Sequence, residues 1–554
     1  MTFTVNPLVS CDSYKLSHRN MYPAGTEYVY SNFTPRSGHH YNSGGNIKPD
    51  AVVVFGLTGM LKEMDRAFSA QFFCQNRTIV LEEYRKSVAP FMGISPADVD
   101  VSHIKALHDL GYLPIEIKAL YEGTRCPFKV PVLTIVNTKP EFFWLTNYLE
   151  TWISSEGWKA MTSATTADLM KNLLVGWAVH TGGDVGFVDW QGHDFSMRGM
   201  SGIHDAARSG AGHLTSFLGS DTLPAAQYLR QYYRGDDEVV LSGSVLASEH
   251  SVMTMGGVDG EYDILDRILF EVCPTGIVSV VIDGYDYWKV ITEYIPSRKD
   301  RILARGVNAL GMAKVTARPD SGTPEHIIAG YKTYDEDGPV DLGNYEVYDE
   351  GYEAIKTGGV YYLITPKFDK YDGSFNGTFD LSEIPAHVAK GSIECLWETF
   401  GGTVTEKGYK VLHERIGLIY GDSITIERAD EICDRLKQKG FASTNVILGV
   451  GSWSYQAVTR DTLGFAMKAT YGIVNGEGRE IFKDPKTDQG KKSAKGLLRV
   501  DLNEEGVLSL FDQQTPLEAT GGLLKPVYTD GVFYSDWLNE NTIGKIRERL
   551  KTKA

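Results

Sequence analysis

Val278-Ser-Val-Val-Ile282 ends at Asp283, and Met312-Ala-Lys-Val-Thr316 leads to Arg318-Pro-Asp320. Ile416-Gly-Leu-Ile-Tyr420 ends at Gly421-Asp422, and Val446-Ile-Leu448 leads to Gly449-Val-Gly451. Each run is short and apolar, as a buried strand is, and each stops at an acid, a glycine or a basic residue. Phe217-Leu-Gly-Ser-Asp221 and Gly192-His-Asp-Phe195 are written in the same way. Helical segments follow several of these ends. Thr222 is a plausible cap with Pro224 in the first turn, ahead of Ala225 to Tyr233. Thr425 to Lys439 carries Ile426, Ala429, Ile432 and Leu436 on one face and stops at Gly440. Strand, polar tip and helix in repetition is what a (β/α) barrel writes, with its chemistry at the C-terminal ends of the strands. A doubly wound open sheet writes similar strings and also binds ligands at strand ends.

Outward from this block the pattern changes. Residues 1–150 mix strand and helix signals: Val52-Val-Val-Phe55 reads as a strand ending at Gly56, and Leu113 to Leu120 alternates with period two. The expected organisation is an N-terminal α/β lobe over 1–150 and a (β/α) barrel over 151–470. The segment 471–554 is expected to pack back on the lobe. Residues 331–382 are rich in Tyr, Gly and Asp, as in Tyr334-Asp-Glu-Asp-Gly338 and Tyr348-Asp-Glu-Gly-Tyr352. They lack the spacing and closing glutamate of a calcium loop, so a solvated surface insertion is expected.

The bulk composition narrows the function classes. With 554 residues, 42% apolar and 23% charged, the chain has the make-up of a globular protein with more than one lobe. A net charge of −16 without a basic run argues against nucleic-acid binding. No apolar stretch reaches the roughly 20 residues needed to span a bilayer. The N-terminus does not read as a signal peptide. The six cysteines, Cys11, Cys74, Cys126, Cys273, Cys395 and Cys433, are scattered singly, which suggests neither a zinc site nor a disulfide framework. A cytoplasmic setting is expected.

The strand ends carry a consistent chemistry. Arg318-Pro-Asp-Ser-Gly322 offers a guanidinium for phosphate and a carboxylate for sugar hydroxyls. Gly421-Asp422-Ser423 offers a second carboxylate beside a backbone that a ligand can approach. Gly449-Val-Gly-Ser452 is a small-residue turn suited to cradling phosphate with backbone N–H groups. His250 stands next to Glu249, which could polarise it. Singly each is weak, since an Asp after a strand is more often a helix cap. Their occurrence in series carries the reading.

Several ordered short motifs then point to one family: Asp12-Ser-Tyr-Lys15, His193-Asp-Phe195 with Arg198-Gly199, Gly219-Ser-Asp-Thr222, Ser248-Glu-His-Ser251 and Asp283-Gly-Tyr-Asp286. Arg318-Pro-Asp-Ser-Gly322, Gly421-Asp422, Thr459-Arg-Asp461 and Val474-Asn-Gly476 continue the series. Together they resemble the nicotinamide phosphoribosyltransferases, of the type II phosphoribosyltransferase family, from about residue 8 to about residue 500. The resemblance implies an α/β protein with a (β/α) barrel and an additional α/β lobe formed by the N- and C-terminal segments. It implies a homodimer with shared active sites. The substrates would be nicotinamide and 5-phosphoribosyl-1-pyrophosphate with Mg²⁺, the metal held mainly by the substrate's pyrophosphate. ATP would be a coupled co-substrate acting through a phosphohistidine.

Residue by residue, the resemblance implies that Phe195 stacks on the pyridine ring and that Tyr14 of a second copy covers the other face. Asp221 would accept a hydrogen bond from the carboxamide. Arg198 and Arg318 would contact phosphate, while Asp320, Gly421 and Asp422 hold the ribose and Gly451 approaches phosphate. His250 would be phosphorylated, with Glu249 beside it and Asp283 organising the region. Arg36, Arg460, Lys468 and Lys483 of the neighbouring copy would neutralise pyrophosphate. The chain departs from the family pattern in its reduced glycine turn, Gly449-Val-Gly-Ser-Trp453, and in Ala466, where a serine is expected. The nearest rival is a nicotinate phosphoribosyltransferase, which Asp221 disfavours, since a carboxylate beside a carboxylate substrate is costly. A non-catalytic nucleotide-binding or signalling relative is the rival from another class, and retention of His250, Arg318 and Asp320 counts against it.

Overall fold

Seven parallel strands are neighbours in space in nearly the order in which they occur along the chain. They are Gly192–Asp194, Gly219–Ser220, Leu246–Ala247, Ile277–Val281, Lys314–Arg318, Ile416–Tyr420 and Val446–Val450. The last pairs with the first, Leu448 opposite Gly192, which an open doubly wound sheet would not do. Gly219 bridges Gly243, just ahead of Leu246–Ala247, through Ser220 N to Gly243 O at 3.0 Å and Gly243 N to Leu218 O at 2.8 Å. The sheet therefore curls until its two edges meet, as a barrel requires. This computed structural model describes residues 6–41, 47–235, 239–336, 351–368, 375–421, 423–483 and 493–551.

The apolar runs that signalled the barrel fill its core. Val278, Val280, Val315, Ala317, Leu418 and Leu448 are all buried. The helix read from Thr425 spans Ile426–Gln438, and the Thr425 hydroxyl accepts from Arg428 N as its cap. Its Ile426, Ala429, Ile432 and Leu436 are buried, and each large side chain so buried stabilises the fold by about 1.5–3 kcal/mol. Thr222 precedes the helix Leu223–Tyr232 but its hydroxyl makes no cap bond, and Pro224 with its fixed φ sits in the first turn.

Chain ends meet in the second large sheet, which is mostly antiparallel. Thr26–Thr34 lies between Leu133–Asn137 and Ala466–Val474, and Ile115–Ala119 pairs in turn with Lys525–Thr529. The strand read over Val52 to Phe55 is Ala51–Val53, paired outside this sheet with Arg125–Pro127. A 32-residue helix, Glu150–Thr181, ties lobe to barrel. Its Ile153 and Met161 enter the lobe core, while Ala167, Met170, Leu174 and Ala178 enter the barrel core. It is buried almost all round from Ala160 to Asp168, while its last turns keep Val179 and His180 exposed opposite Leu174 and Ala178. No described helix is long and apolar enough to cross a membrane.

The insertion differs from a plain solvated excursion. Thr333–Glu336, Ala354–Thr357, Val360–Phe368 and Phe375–Ile384 form a four-stranded sheet of their own. Part of the Tyr-Gly-Asp-rich sequence, residues 337–350 and 369–374, lies outside the described residues.

Candidate active site

The C-terminal strand ends gather most of the chemistry-bearing residues into two adjoining groups. In the first, the strand Gly192–Asp194 alternates, placing His193 and Phe195 on the same side with ring centroids 4.6 Å apart. Phe195 N donates to Val450 O at 3.0 Å. Asp194 points the other way and is fully buried, accepting from Ser196 N at 2.9 Å and from Ser220 Oγ at 3.1 Å. Asp194 O also accepts from Asp221 N at 3.0 Å, so one residue joins the Phe195 turn to the Asp221 turn.

Asp221 Oδ1 lies 2.9 Å from His193 Nε2 and also accepts from the Ser244 hydroxyl. Burial pushes this carboxyl up, but the His193 and Ser244 bonds outweigh burial and hold it below the ordinary aspartate value. It is therefore a carboxylate near neutrality. Oδ2 has no partner among the described residues, and the side chain is 41% exposed. Behind the strand, His213 is buried between Tyr455, whose hydroxyl is 2.6 Å from Nδ1, and Gly219 O, 3.1 Å from Nε2. Burial lowers its pKa to about 4, so it stays neutral and props the edge on which Asp221 sits.

In the second group Asp283 is the hub. Its side chain is 3% exposed, with Oδ1 3.1 Å from His250 Nε2. Oδ2 accepts from Asp320 N at 2.8 Å and Ser321 Oγ at 2.7 Å. Glu249 does not reach the neighbouring imidazole ring: its backbone is extended, and its carboxylate accepts from the Ser251 hydroxyl. The expectation that Glu249 steadies His250 is thus corrected, because adjacent residues at a helix start point apart, while Asp283 arrives from the next strand. Arg318 connects the groups. Its Nη2 donates to Ser248 O at 2.9 Å, and its guanidinium lies 6.0 Å from the Phe195 ring centroid. Its Nε is buried with no hydrogen-bond partner among the described residues.

Asp320 lies against Gly421, where an added Cβ would stand 2.8 Å from Asp320 Oδ1. Asp422 is outside the described residues. Arg198 is exposed on the turn Met197–Gly199, and a Cβ on Gly199 would meet Ser452 Oγ at 2.1 Å, so Arg198 stands beside the Gly451-Ser452 turn. Gly449, read from sequence as part of a phosphate-cradling turn, is instead inside the strand Val446–Val450. A side chain there would strike Tyr420 O at 2.5 Å and Phe195 at 2.8 Å, so the glycine makes room for the Phe195 ring. Val450 is core, and only Gly451 onward can serve as the turn.

The residues expected from a second copy form a separate face on the lobe. Arg36 Nε donates to Gly464 O at 2.7 Å. Lys468 opposes Asn32 in the sheet. Shielding lowers the Lys468 ammonium, Glu150 opposes this, and Arg36, Lys483 and Lys15 push it down further, which marks a cluster of cations. Tyr14 is 56% exposed, and its phenol is raised by shielding, Asp12 and Glu150 against the opposing charge of Arg460. Among the described residues, no hydrogen bond, ion pair or ring contact joins Tyr14, Arg36, Arg460, Lys468 or Lys483 to the barrel-mouth groups.

His193, Ser244 and Asp194 carry the geometry yet were not assigned roles from sequence. The period-two alternation of His193 with Phe195 was the available signal. Ser244 carried none, since its partner is 23 residues earlier.

The nicotinate phosphoribosyltransferase (NAPRTase) family profile matches residues 190–517, and that of the nicotinamide phosphoribosyltransferase N-terminal domain matches residues 6–88. The chain is 47% identical to the nicotinamide phosphoribosyltransferase of Acinetobacter baylyi, over 99% of this chain and 98% of that one. It is 33% identical to the enzyme of that name from Mycoplasma pneumoniae, over 88% of this chain and 94% of that one. The crystal structure of human nicotinic acid phosphoribosyltransferase covers 98% of this chain and 92% of that one, with 14% identity and a TM-score of 0.49. On the family profiles and the two bacterial relatives, the chain belongs to the nicotinate phosphoribosyltransferase family, among its nicotinamide phosphoribosyltransferases.

Proposed function

We propose that this enzyme condenses nicotinamide with 5-phosphoribosyl-1-pyrophosphate, giving nicotinamide mononucleotide and pyrophosphate in NAD salvage. The bond from the anomeric carbon to pyrophosphate oxygen breaks, the pyrophosphate leaves with the electron pair, and the pyridine nitrogen forms the new bond. That nitrogen carries no proton, so no general base is required. What must be supplied is alignment of the nitrogen and stabilisation of the leaving charge. Phe195 orients the flat ring, Asp221 accepts from the carboxamide, Arg318 and Arg198 meet phosphate, and Asp320 with the Gly421 backbone meets the ribose. Asp221 is the observation that carries amide over acid: a fixed, charged carboxylate at the mouth of the barrel.

In this reading Mg²⁺ enters on the substrate's pyrophosphate and supplies charge neutralisation there. Among the described residues, no group of three or more His, Cys, Asp or Glu is gathered to hold an ion by itself. ATP coupling runs through His250: the γ-phosphoryl group passes to the imidazole, ADP leaves, and water later releases phosphate. With Nε2 turned to Asp283, Nδ1 is the nitrogen left for transfer, and the Asp283 carboxylate stabilises the cationic ring. The setting is cytoplasmic, without nucleic-acid or membrane partners.

The expected assay result is nicotinamide mononucleotide from nicotinamide, far less product from nicotinate, and a higher yield with ATP than without. Equal use of the two bases would overturn the assignment of substrate.

The division between barrel mouth and lobe face supports a homodimer in which each copy completes the other's site. Tyr14→Ala and Asp221→Ala proteins, each strongly impaired alone, are expected to regain roughly a quarter of wild-type activity when subunits exchange at equal ratio, since one in four sites is then intact. No recovery after exchange verified by mass would argue for sites built from one chain.

A further inference from the structure

We propose that Lys159, on the helix Glu150–Thr181, is a positioning residue for the phosphate end of the site. It acts through Gln456 and Ser201 on the two turns that carry Gly451 and Arg198. The proposal rests on the reading above, in which these turns receive phosphate from 5-phosphoribosyl-1-pyrophosphate.

A lysine at this place needs a reason. Lys159 is 6% exposed, and its neighbours Ala160, Met161, Ala164 and Ala167 are buried with it. Burial lowers its ammonium from the ordinary lysine value, and Asp205 opposes that shift. Asp205 is a loose partner, with Oδ1 3.8 Å from Nζ. The close partner is neutral: Nζ donates to Gln456 Oε1 at 2.9 Å. A buried charge is costly to desolvate, and an apolar side chain of similar volume would fill the same space without that penalty. What the lysine supplies here is its hydrogen bond.

That bond settles which way the Gln456 amide faces. An ammonium only donates, so it meets the carbonyl oxygen, and the NH₂ group is turned away from it. There Nε2 donates to the Ser201 hydroxyl. Ser201 imposes no direction of its own, because a hydroxyl can donate or accept. Ser201 N donates in turn to Asp205 Oδ2 at 3.0 Å. Lys159, Gln456, Ser201 and Asp205 therefore close a ring of polar contacts.

The ring joins pieces that are distant along the chain. Gln456 ends the short helix Ser452–Gln456, which follows Gly451. Ser201 comes just after the turn Met197–Gly199 that carries Arg198, and Asp205 lies in the first turn of the helix Ile203–His213. The two phosphate turns already touch where Gly199 meets Ser452. One contact lets two turns pivot about it. The Ser201–Gln456 bond is a second, and it fixes the angle between them. Tyr455, beside Gln456, is held from the opposite side by His213 Nδ1 at 2.6 Å. Arg198 and the Gly451 backbone thus approach a phosphate from set directions, and a displacement of about 1 Å is enough to spoil such alignment.

The test is steady-state kinetics of nucleotide formation on the full-length enzyme, with each substrate varied in turn. Lys159→Met, similar in size but without a donor, is expected to raise KM for 5-phosphoribosyl-1-pyrophosphate about tenfold. KM for nicotinamide and kcat are expected to stay within about threefold of wild type. Gln456→Leu is expected to behave alike, and Lys159→Met/Gln456→Leu to match the worse single variant, since the lysine acts through the glutamine. Lys159→Ala, which keeps the helix and admits water, replaces the methionine variant if that does not fold. A rise in this KM under threefold in a folded Lys159 variant overturns the proposal. So does an equal rise for both substrates, which marks general damage, or a double variant whose effects multiply to about a hundredfold, which marks independent action. Wild-type product formation is the baseline of the same assay. Its absence would speak against the condensation itself, whereas variants that match an active wild type speak only against Lys159.

Discussion

Arg318→Ala is expected to lower kcat/KM for nicotinamide mononucleotide formation about a thousandfold, or ~4 kcal/mol of transition-state stabilisation. The size follows from where the side chain stands. Arg318 ends the strand Lys314–Arg318, with one terminal nitrogen spent on Ser248 O and the guanidinium beside Phe195. Its buried Nε has no hydrogen-bond partner among the described residues. A buried donor left unmet costs about 1–3 kcal/mol unless something else meets it, and a phosphate oxygen at the mouth of the barrel would do so. Removing the cation deletes both a charge-assisted bond and the field it casts on the departing pyrophosphate. Arg318→Lys keeps the charge but loses the planar fork, so an intermediate loss of ~10–100-fold is expected. The thermal midpoint of each variant should stay within a few degrees of wild type, since the residue closes no core. Steady-state kinetics at varied 5-phosphoribosyl-1-pyrophosphate is the measurement, and a loss under tenfold for Arg318→Ala would remove this arginine from the phosphate site.

What could be read in the sequence was what is local. The runs ending at Asp283, Asp320 and Gly421 announced strands because burial on both faces demands unbroken apolar stretches, and the barrel uses them in that order. Pairing across long separations left no such trace. Nothing in Thr26–Thr34 specifies Ala466–Val474 as its neighbour, about 440 residues on, so the sequence pattern held no sign of this pairing. Chain adjacency also misled at Glu249-His250, where the useful carboxylate belongs to Asp283, 33 residues away. Gly449 shows a further limit: a glycine inside a strand and a glycine in a turn look alike until the ring it makes room for, Phe195, is placed. The insertion reads as polar because tyrosine, glycine and aspartate dominate it, yet it forms four strands.

Asp221 is expected to control which pyridine the enzyme accepts, and two substitutions separate its charge from its hydrogen bond. Two like charges about 4 Å apart cost about 4 kcal/mol at an effective dielectric near 20. With the Asp221 side chain 41% exposed, water screening reduces that to about 2 kcal/mol. Asp221→Asn removes the repulsion but keeps an acceptor oxygen, so the preference for nicotinamide over nicotinate should shrink by ~30-fold, mainly through a gain on nicotinate. Asp221→Ala removes both, so nicotinamide turnover itself should fall by ~100-fold. The discrimination should also be flat from about pH 5 to pH 9. His193 and Ser244 hold the carboxyl below its ordinary value, so it remains charged throughout that window. A preference that weakens only below the ordinary aspartate range would agree with this. One unchanged in the asparagine protein would mean that the two bases are told apart elsewhere, because the asparagine keeps an acceptor for the carboxamide and removes only the charge that Asp221 is placed to turn on nicotinate.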